Sequence, residues 1–135
     1  MKISKYFSAL FLIIICFLGL GFWASDTIYP QSKTTIRVDK RMIDLGKYKK
    51  QEIKKAMFTV KNTGNKDLII DKVEPDCHCT LVDWPIHKIK PSKTAQITVA
   101  YDNSTTGAFQ RVVKVFNNSD EGVIILTIRG KIIHE

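Results

Sequence analysis

Phe58-Thr59-Val60-Lys61-Asn62-Thr63-Gly64-Asn65-Lys66-Asp67-Leu68-Ile69-Ile70 is the stretch on which the reading of the fold turns. Ala56, Phe58 and Val60 fall on one side of an extended chain, and Met57, Thr59 and Lys61 on the other. That period of two belongs to a strand buried on one face. Asn62-Thr63-Gly64-Asn65 interrupts it with turn formers. Leu68 to Val73 then resumes a β-branched apolar run, stopped by Pro75. Strand, turn and strand within eighteen residues leave no room for a helical period.

The same rhythm extends in both directions. Upstream, Ile36-Arg37-Val38 starts a strand that continues after a kink as Met42 to Leu45 and ends at Gly46. Downstream come Thr80 to Trp84, stopped by Pro85, then Ala95 to Asp102 with Ile97, Val99 and Tyr101 inward. Phe109 to Phe116 alternates through Val113 and Val115, Asn117 to Gly122 forms a turn, and Val123 to Ile133 is β-branched almost throughout. Seven short strands in about 105 residues predict a two-sheet antiparallel β-sandwich. Its expected core is Phe58, Val60, Ile70, Val73, Ile97, Val99, Tyr101, Val113, Val115 and Ile128. About a hundred residues can bury such a core without covalent staples.

The amino-terminal quarter is different. No residue from Tyr6 to Ser25 is charged, Lys2 and Lys5 precede this run, and Asp26 closes it. About 20 apolar residues cross a hydrocarbon layer of about 30 Å, and the lysines are expected to stay cytoplasmic. The organisation is therefore a cytoplasmic segment 1–5, a transmembrane helix 6–25, a linker 26–35 and an exported domain 36–135. Three readings of the helix compete. Cleavage after Ala24 or Ser25 leaves Phe22 or Trp23 at −3, where a small residue is wanted. A lipoprotein would lipidate Cys16, yet Ile15 precedes it and the apolar run continues beyond. An uncleaved signal anchor requires no special residue and is the expectation, with Cys16 a small apolar residue in lipid.

The 135 residues are 44% hydrophobic and 25% charged, with a net charge of +8 and three cysteines. These figures exclude extended disorder and a disulfide-dense scaffold. Walker, Rossmann, zinc-ribbon and nucleophile-elbow patterns are missing. The lysines are dispersed rather than interleaved with aromatic platforms, so nucleic acid is not the expected partner. Some of them suit a domain lying near anionic lipid headgroups.

Phe58-x-Val60-x-Asn62-Thr63-Gly64, Leu68-x-Ile70, Cys77-x-Cys79-Thr80, Ile89-x-Pro91, Ile97-x-Val99-x-Tyr101-Asp102, Gly107 and Gly130 occur in this order. The ensemble resembles the bacterial domain of unknown function 1573 family, similar to Hydin and major-sperm-protein type domains, over residues 36 to 133. The resemblance implies an Ig-like sandwich, commonly exported or lipid-anchored, with no established enzymatic activity. Two residues depart from its pattern. His78 stands where members usually have Gly, and Ser92 follows Pro91 where they often have Gly. The second change is expected to reshape a turn, because Ser does not accept a positive φ at low cost.

Pro75-Asp76-Cys77-His78-Cys79-Thr80 is the chemically suggestive segment. Extended, it would set Cys77 and Cys79 on one face with Cα atoms about 6.6 Å apart, near the upper limit for a disulfide. Three readings stay open. The cysteines are half-buried small residues at a corner between sheets, with His78 exposed. Alternatively, they carry out thiol–disulfide exchange. Or Cys77, His78 and Cys79 bind Cu(I) or Zn(II), with His87 the nearest further imidazole. Asn103-Ser104-Thr105 and Asn117-Asn118-Ser119 fit the glycosylation sequon. The expected function is a non-enzymatic interaction or structural module of the cell envelope or periplasm. Its partners would be the membrane, through residues 6–25, and an envelope protein; a metal- or thiol-handling protein is the alternative.

Overall fold

Alternating strands bury their apolar side only against a second sheet, and a computed structural model of the chain has this arrangement. It describes residues 33–102 and 105–134. The uncharged run 6–25, Cys16, the linker up to residue 32 and the head of the Asn103 sequon lie outside the described residues. Eight strands follow in order: β1 (Ile36–Val38), β2 (Met42–Lys49), β3 (Lys55–Asn62), β4 (Ile70–Pro75), β5 (Thr80–Asp83), β6 (Thr94–Tyr101), β7 (Gly107–Asn117) and β8 (Val123–Ile133). One sheet has the order β1-β3-β6-β5 and the other β2-β8-β7-β4. All ten expected core residues are buried between the sheets. Around them lie others such as Leu68, Ile124, Leu126 and Ile132.

The first strand departs from expectation. Residues 36 to 45 are not one kinked strand but two strands in different sheets. The Asp39 N–H ends the β1 pairing on the Thr59 carbonyl, and the Arg41 carbonyl accepts from Thr127 on the other sheet. The bend at Asp39 to Arg41 is therefore a sheet switch. β2 also runs parallel to β8, so the sandwich is not wholly antiparallel. Gly46 does not end β2. It adopts φ +69° at a bulge between Asp44 and Lys47, and its N–H donates to Asp44 Oδ1 at 2.8 Å. A residue in that left-handed region is most easily a glycine.

Asn62 closes the end of the sandwich opposite the Cys77–Cys79 segment. It is fully buried. Its Nδ2 donates to the carbonyls of Lys66 (2.6 Å) and Ile89 (2.8 Å). Its Oδ1 accepts from Thr34 Oγ1 (2.9 Å) and the Gly64 N–H (3.1 Å). An amide has two donors and two lone pairs, so this side chain is saturated. Gly64 is required here for space: a Cβ would come within 2.6 Å of the Thr35 nitrogen.

Pro91 and Ser92 form the centre of a tight turn. The Lys93 N–H reaches the Lys90 carbonyl at 3.0 Å, and Ser92 takes φ 65° in the third position. Pro second and a positive φ third is the type II pattern. Ser92 N–H and the Lys93 carbonyl both bond to the Asn62 backbone, which holds serine in the conformation glycine would adopt freely.

Candidate functional site

Cys77, His78 and Cys79 lie in the crossing between the sheets, from the end of β4 to the start of β5. They are not extended. The Thr80 N–H donates to the Cys77 carbonyl at 3.1 Å, so His78 and Cys79 are the central residues of a four-residue turn. The turn brings the two Cα atoms to 5.1 Å, and the two sulfurs are joined in a disulfide. The expected extended spacing of about 6.6 Å is shortened by this fold of the backbone. Both cysteines are half-buried and His78 is exposed. Cys79 packs against the core. Cys77 instead borders a groove of about 310 Å³ with Val73, Glu74, Pro75, Asp76 and His78. The Cys79 N–H points at Cys77 Sγ, 3.1 Å away.

Both flanks of the turn are fixed by backbone bonds. The Asp76 N–H reaches the Val112 carbonyl at 2.9 Å, and the Asp102 N–H reaches the Cys79 carbonyl at 2.7 Å. Thr80 pairs with Tyr101 across β5 and β6. The Tyr101 ring stacks on Phe109 at 4.2 Å, and Phe109 meets Tyr48 edge-on at 6.1 Å. Arg111 comes from the facing sheet, lies 4.9 Å from the Tyr101 centroid and donates to its hydroxyl at 3.1 Å. Thr80 Oγ1, Arg111 Nε and Tyr48 Oη are buried without hydrogen-bond partners among the described residues. Burial, with the neighbouring Tyr101 phenol adding to it, pushes the Tyr48 phenol above its ordinary value of 10.0.

His87 is exposed in the β5–β6 connection. Among the described residues no group of three or more His, Cys, Asp or Glu side chains is gathered to hold a metal ion. Lys72 is paired with Glu74. In the second sequon, Asn117 is buried and its Nδ2 donates to the Val115 carbonyl at 3.2 Å, which takes that amide out of reach of modification.

A second feature lies on the outer face of the β2-β8-β7-β4 sheet. Inward positions of β8 are Ile124, Leu126 and Ile128, so Val123, Ile125 and Thr127 face outward. Their cross-strand partners on β7 are Phe116, Lys114 and Val112, and Met42 on β2 pairs with Thr127. Met42, Val123 and Ile125 are 48%, 40% and 42% exposed. Half-buried Phe116 and Val112 lie on the same face, which is thus mainly apolar here, with Lys114 and Thr127 set among these side chains. Such an outer face is normally polar. The sequence reading missed this area, although Val123-Ile124-Ile125-Leu126 carried its signal: four apolar residues in a row cannot all point inward. Towards the other end the same face turns charged. There a shallow hollow of about 620 Å³ is lined by residues including Asp44, Lys47, Gln110, Arg129 and Lys131, with Arg129 Nε 2.9 Å from Asp44 Oδ2. The Gly46 N–H foremost, and then Arg129, hold the Asp44 carboxyl below its ordinary value.

Comparison with known proteins adds the following. A family model described as "Protein of unknown function (DUF1573)" matches residues 36–132. No curated protein matches. A protein of unknown function from Porphyromonas gingivalis W83 is similar in structure, with a TM-score of 0.68 at 13% identity over 80% of this chain. This chain spans 51% of that protein's length. The ASH / PapD-like domain 7 of human CEP192 superposes with a TM-score of 0.64 at 10% identity, over 86% of this chain and 96% of that one. WR4, an MSP family member from C. elegans, gives 0.50 at 14% identity, over 72% and 98%. At these identities the likeness is one of fold.

Proposed function

Starting from the membership of this chain in the DUF1573 family of proteins of unknown function, we propose that it is an exported, membrane-held Ig-like module of the bacterial cell envelope whose role is to bind another protein. The observation that carries this reading is the apolar outer face of Met42, Val112, Phe116, Val123 and Ile125. An exposed apolar area with a charged border is the composition of a protein-binding surface. Arg41 and Glu121, joined at 2.8 Å, supply part of that border. The uncharged run 6–25 behind Lys2 and Lys5 supports export and retention at the membrane.

The test uses the full-length protein in its own cells. A photo-crosslinking residue replaces Ile125, and in a parallel strain it replaces Gln96, which is exposed on the opposite sheet. The expected result is a discrete protein adduct from position 125 and none from position 96. Adducts from both positions in equal yield, or from neither, would sink the reading. An adduct of twice the protein's own mass would turn it into self-association.

A further inference from the structure

Independently of the binding surface, the geometry points to Cys77–Cys79 as an exchangeable disulfide that oxidises an external thiol pair, with Cys77 as the sulfur attacked. The two sulfurs are not equivalent. Cys79 is packed on the core, whereas Cys77 borders the open groove with Pro75, Asp76 and His78. A thiolate must approach a sulfur along the S–S axis from the open side, and exchange follows access. Of the two cysteines, Cys77 is the one that borders the groove, and the attack is assigned to it.

The surroundings suit both redox states. The bridge spans a single residue and joins no two strands. Asp76 is held by Val112, Thr80 by Cys77, and Asp102 by Cys79, all through backbone hydrogen bonds that do not involve sulfur. Opening the bridge therefore leaves the turn's anchors in place. The Cys79 N–H already aims at Cys77 Sγ, so a thiolate there has a donor waiting, and hydrogen bonding to the charged form favours it. The buried Thr80 hydroxyl, next in the chain to Cys79, has no partner among the described residues.

The reaction balances as a two-electron exchange. The thiolate of a donor attacks Cys77 Sγ and forms a mixed disulfide. The Cys77–Cys79 bond breaks, and its electron pair leaves on Cys79 Sγ, which takes up a proton. A second donor thiolate then attacks the donor sulfur of the mixed disulfide and releases Cys77 as a thiolate. The donor pair leaves as a disulfide, oxidised by two electrons, and Cys77 and Cys79 remain as the reduced pair. The donor chemistry is a thiol, either a small molecule or an exported protein segment.

The experiment uses the full-length chain in detergent micelles, with Cys16→Ala to remove the third thiol. Reduced glutathione and, separately, a reduced two-cysteine peptide are titrated in under anaerobic conditions. Samples are quenched with acid and mapped by mass spectrometry, and β-sheet content is followed by circular dichroism. The expected results are full reduction with unchanged circular dichroism and a mixed disulfide on Cys77. In single-cysteine variants, Cys77 of the Cys79→Ser protein should alkylate about tenfold faster than Cys79 of the Cys77→Ser protein, following access. Glutathione acting alone would name a small-thiol donor, and the peptide acting alone a protein donor. Reduction only where β-sheet signal is lost, or an adduct mapped to Cys79, would overturn the assignment. The mapping on the parent protein stands even where a serine variant fails to fold.

Discussion

Replacing Asn62 with alanine removes four hydrogen bonds at one stroke, those to Lys66, Ile89, Thr34 and Gly64. Each is worth about 1 kcal/mol net, so the loss is about 4 kcal/mol. The carbonyls of Lys66 and Ile89 keep other donors, Thr34 Oγ1 and the Leu68 N–H. Orphaning therefore falls mainly on the Gly64 N–H, which is only part-buried and adds little. Against a total stability of about 5–15 kcal/mol this is a severe lesion, lowering the melting temperature by roughly 20 °C for a domain of about 100 residues. Thermal unfolding of the full-length protein followed by circular dichroism reads it directly. Thr34→Val removes one hydroxyl proton, which lies within reach of both Asn62 Oδ1 and the Lys66 carbonyl, and should cost about 1 kcal/mol. The double variant should fall short of the sum by about 1 kcal/mol, because one bond is shared. Asn62→Asp sharpens the logic. It preserves shape and the acceptor side but turns lone pairs towards two carbonyls. It should be as damaging as alanine at neutral pH and recover as the pH falls and the carboxyl regains a proton to donate. An Asn62→Ala protein within about 1 kcal/mol of the parent would mean that the amide does not tie the turn to Ile89 and Thr34.

Three further outcomes follow from the same structure. Ser92→Gly relieves a positive φ costing about 1–2 kcal/mol and gives back about 0.5–1 kcal/mol in chain entropy. A small rise in melting temperature is expected, and a fall would contradict the strain argument. Tyr48→Phe deletes a buried hydroxyl without a partner and should stabilise by about 1 kcal/mol. Because folding raises the Tyr48 phenol above 10.0, the folded state holds that proton more tightly. This phenol's contribution to stability is thus constant below pH 10 and falls above it, and the Phe variant should lose part of that slope in urea titrations at pH 9 to 11. Cys77→Ala/Cys79→Ala opens a loop of three residues, for which the chain-entropy relation gives about 1.6 kcal/mol. A collapse of the domain on this change would make the bridge a structural staple.

The core was legible because alternation fixes which side of a strand is inward, and Phe58, Ile97, Val113 and Ile128 needed no other information. Three features were not legible, each for a local reason. The sheet switch at Asp39 to Arg41 reads as a kink, since sequence shows a break in alternation but not which neighbour the chain pairs with next. Asn62 reads as a turn former, and its burial depends on Thr34 and Ile89, nearly thirty residues away in either direction. Arg111 occupies an inward position, where its stem packs and its head finds Tyr101 from the other sheet. The cysteine segment was half legible. Its half-buried corner position and exposed histidine match one expected reading. The disulfide required the turn between Cys77 and Thr80, and nothing in an extended reading supplies it.

The parallel pairing of β2 with β8 has a mechanical consequence. These two strands stand side by side and run in the same direction, paired from Met42 and Thr127 to Lys49 and Ile133. The chain leaves the start of β2 towards residue 33 and the finish of β8 towards residue 134, at opposite ends of the pair. Once β1 has been drawn off β3, tension between those two points slides β2 along β8 and loads their ladder at once, where an antiparallel hairpin pulled from its two tails would open rung by rung. Forced unfolding is set by the height of the unfolding barrier, and simultaneous loading raises the force needed to cross it. Held by its two ends, the sandwich resists a pull along its strands far better than a pull across them.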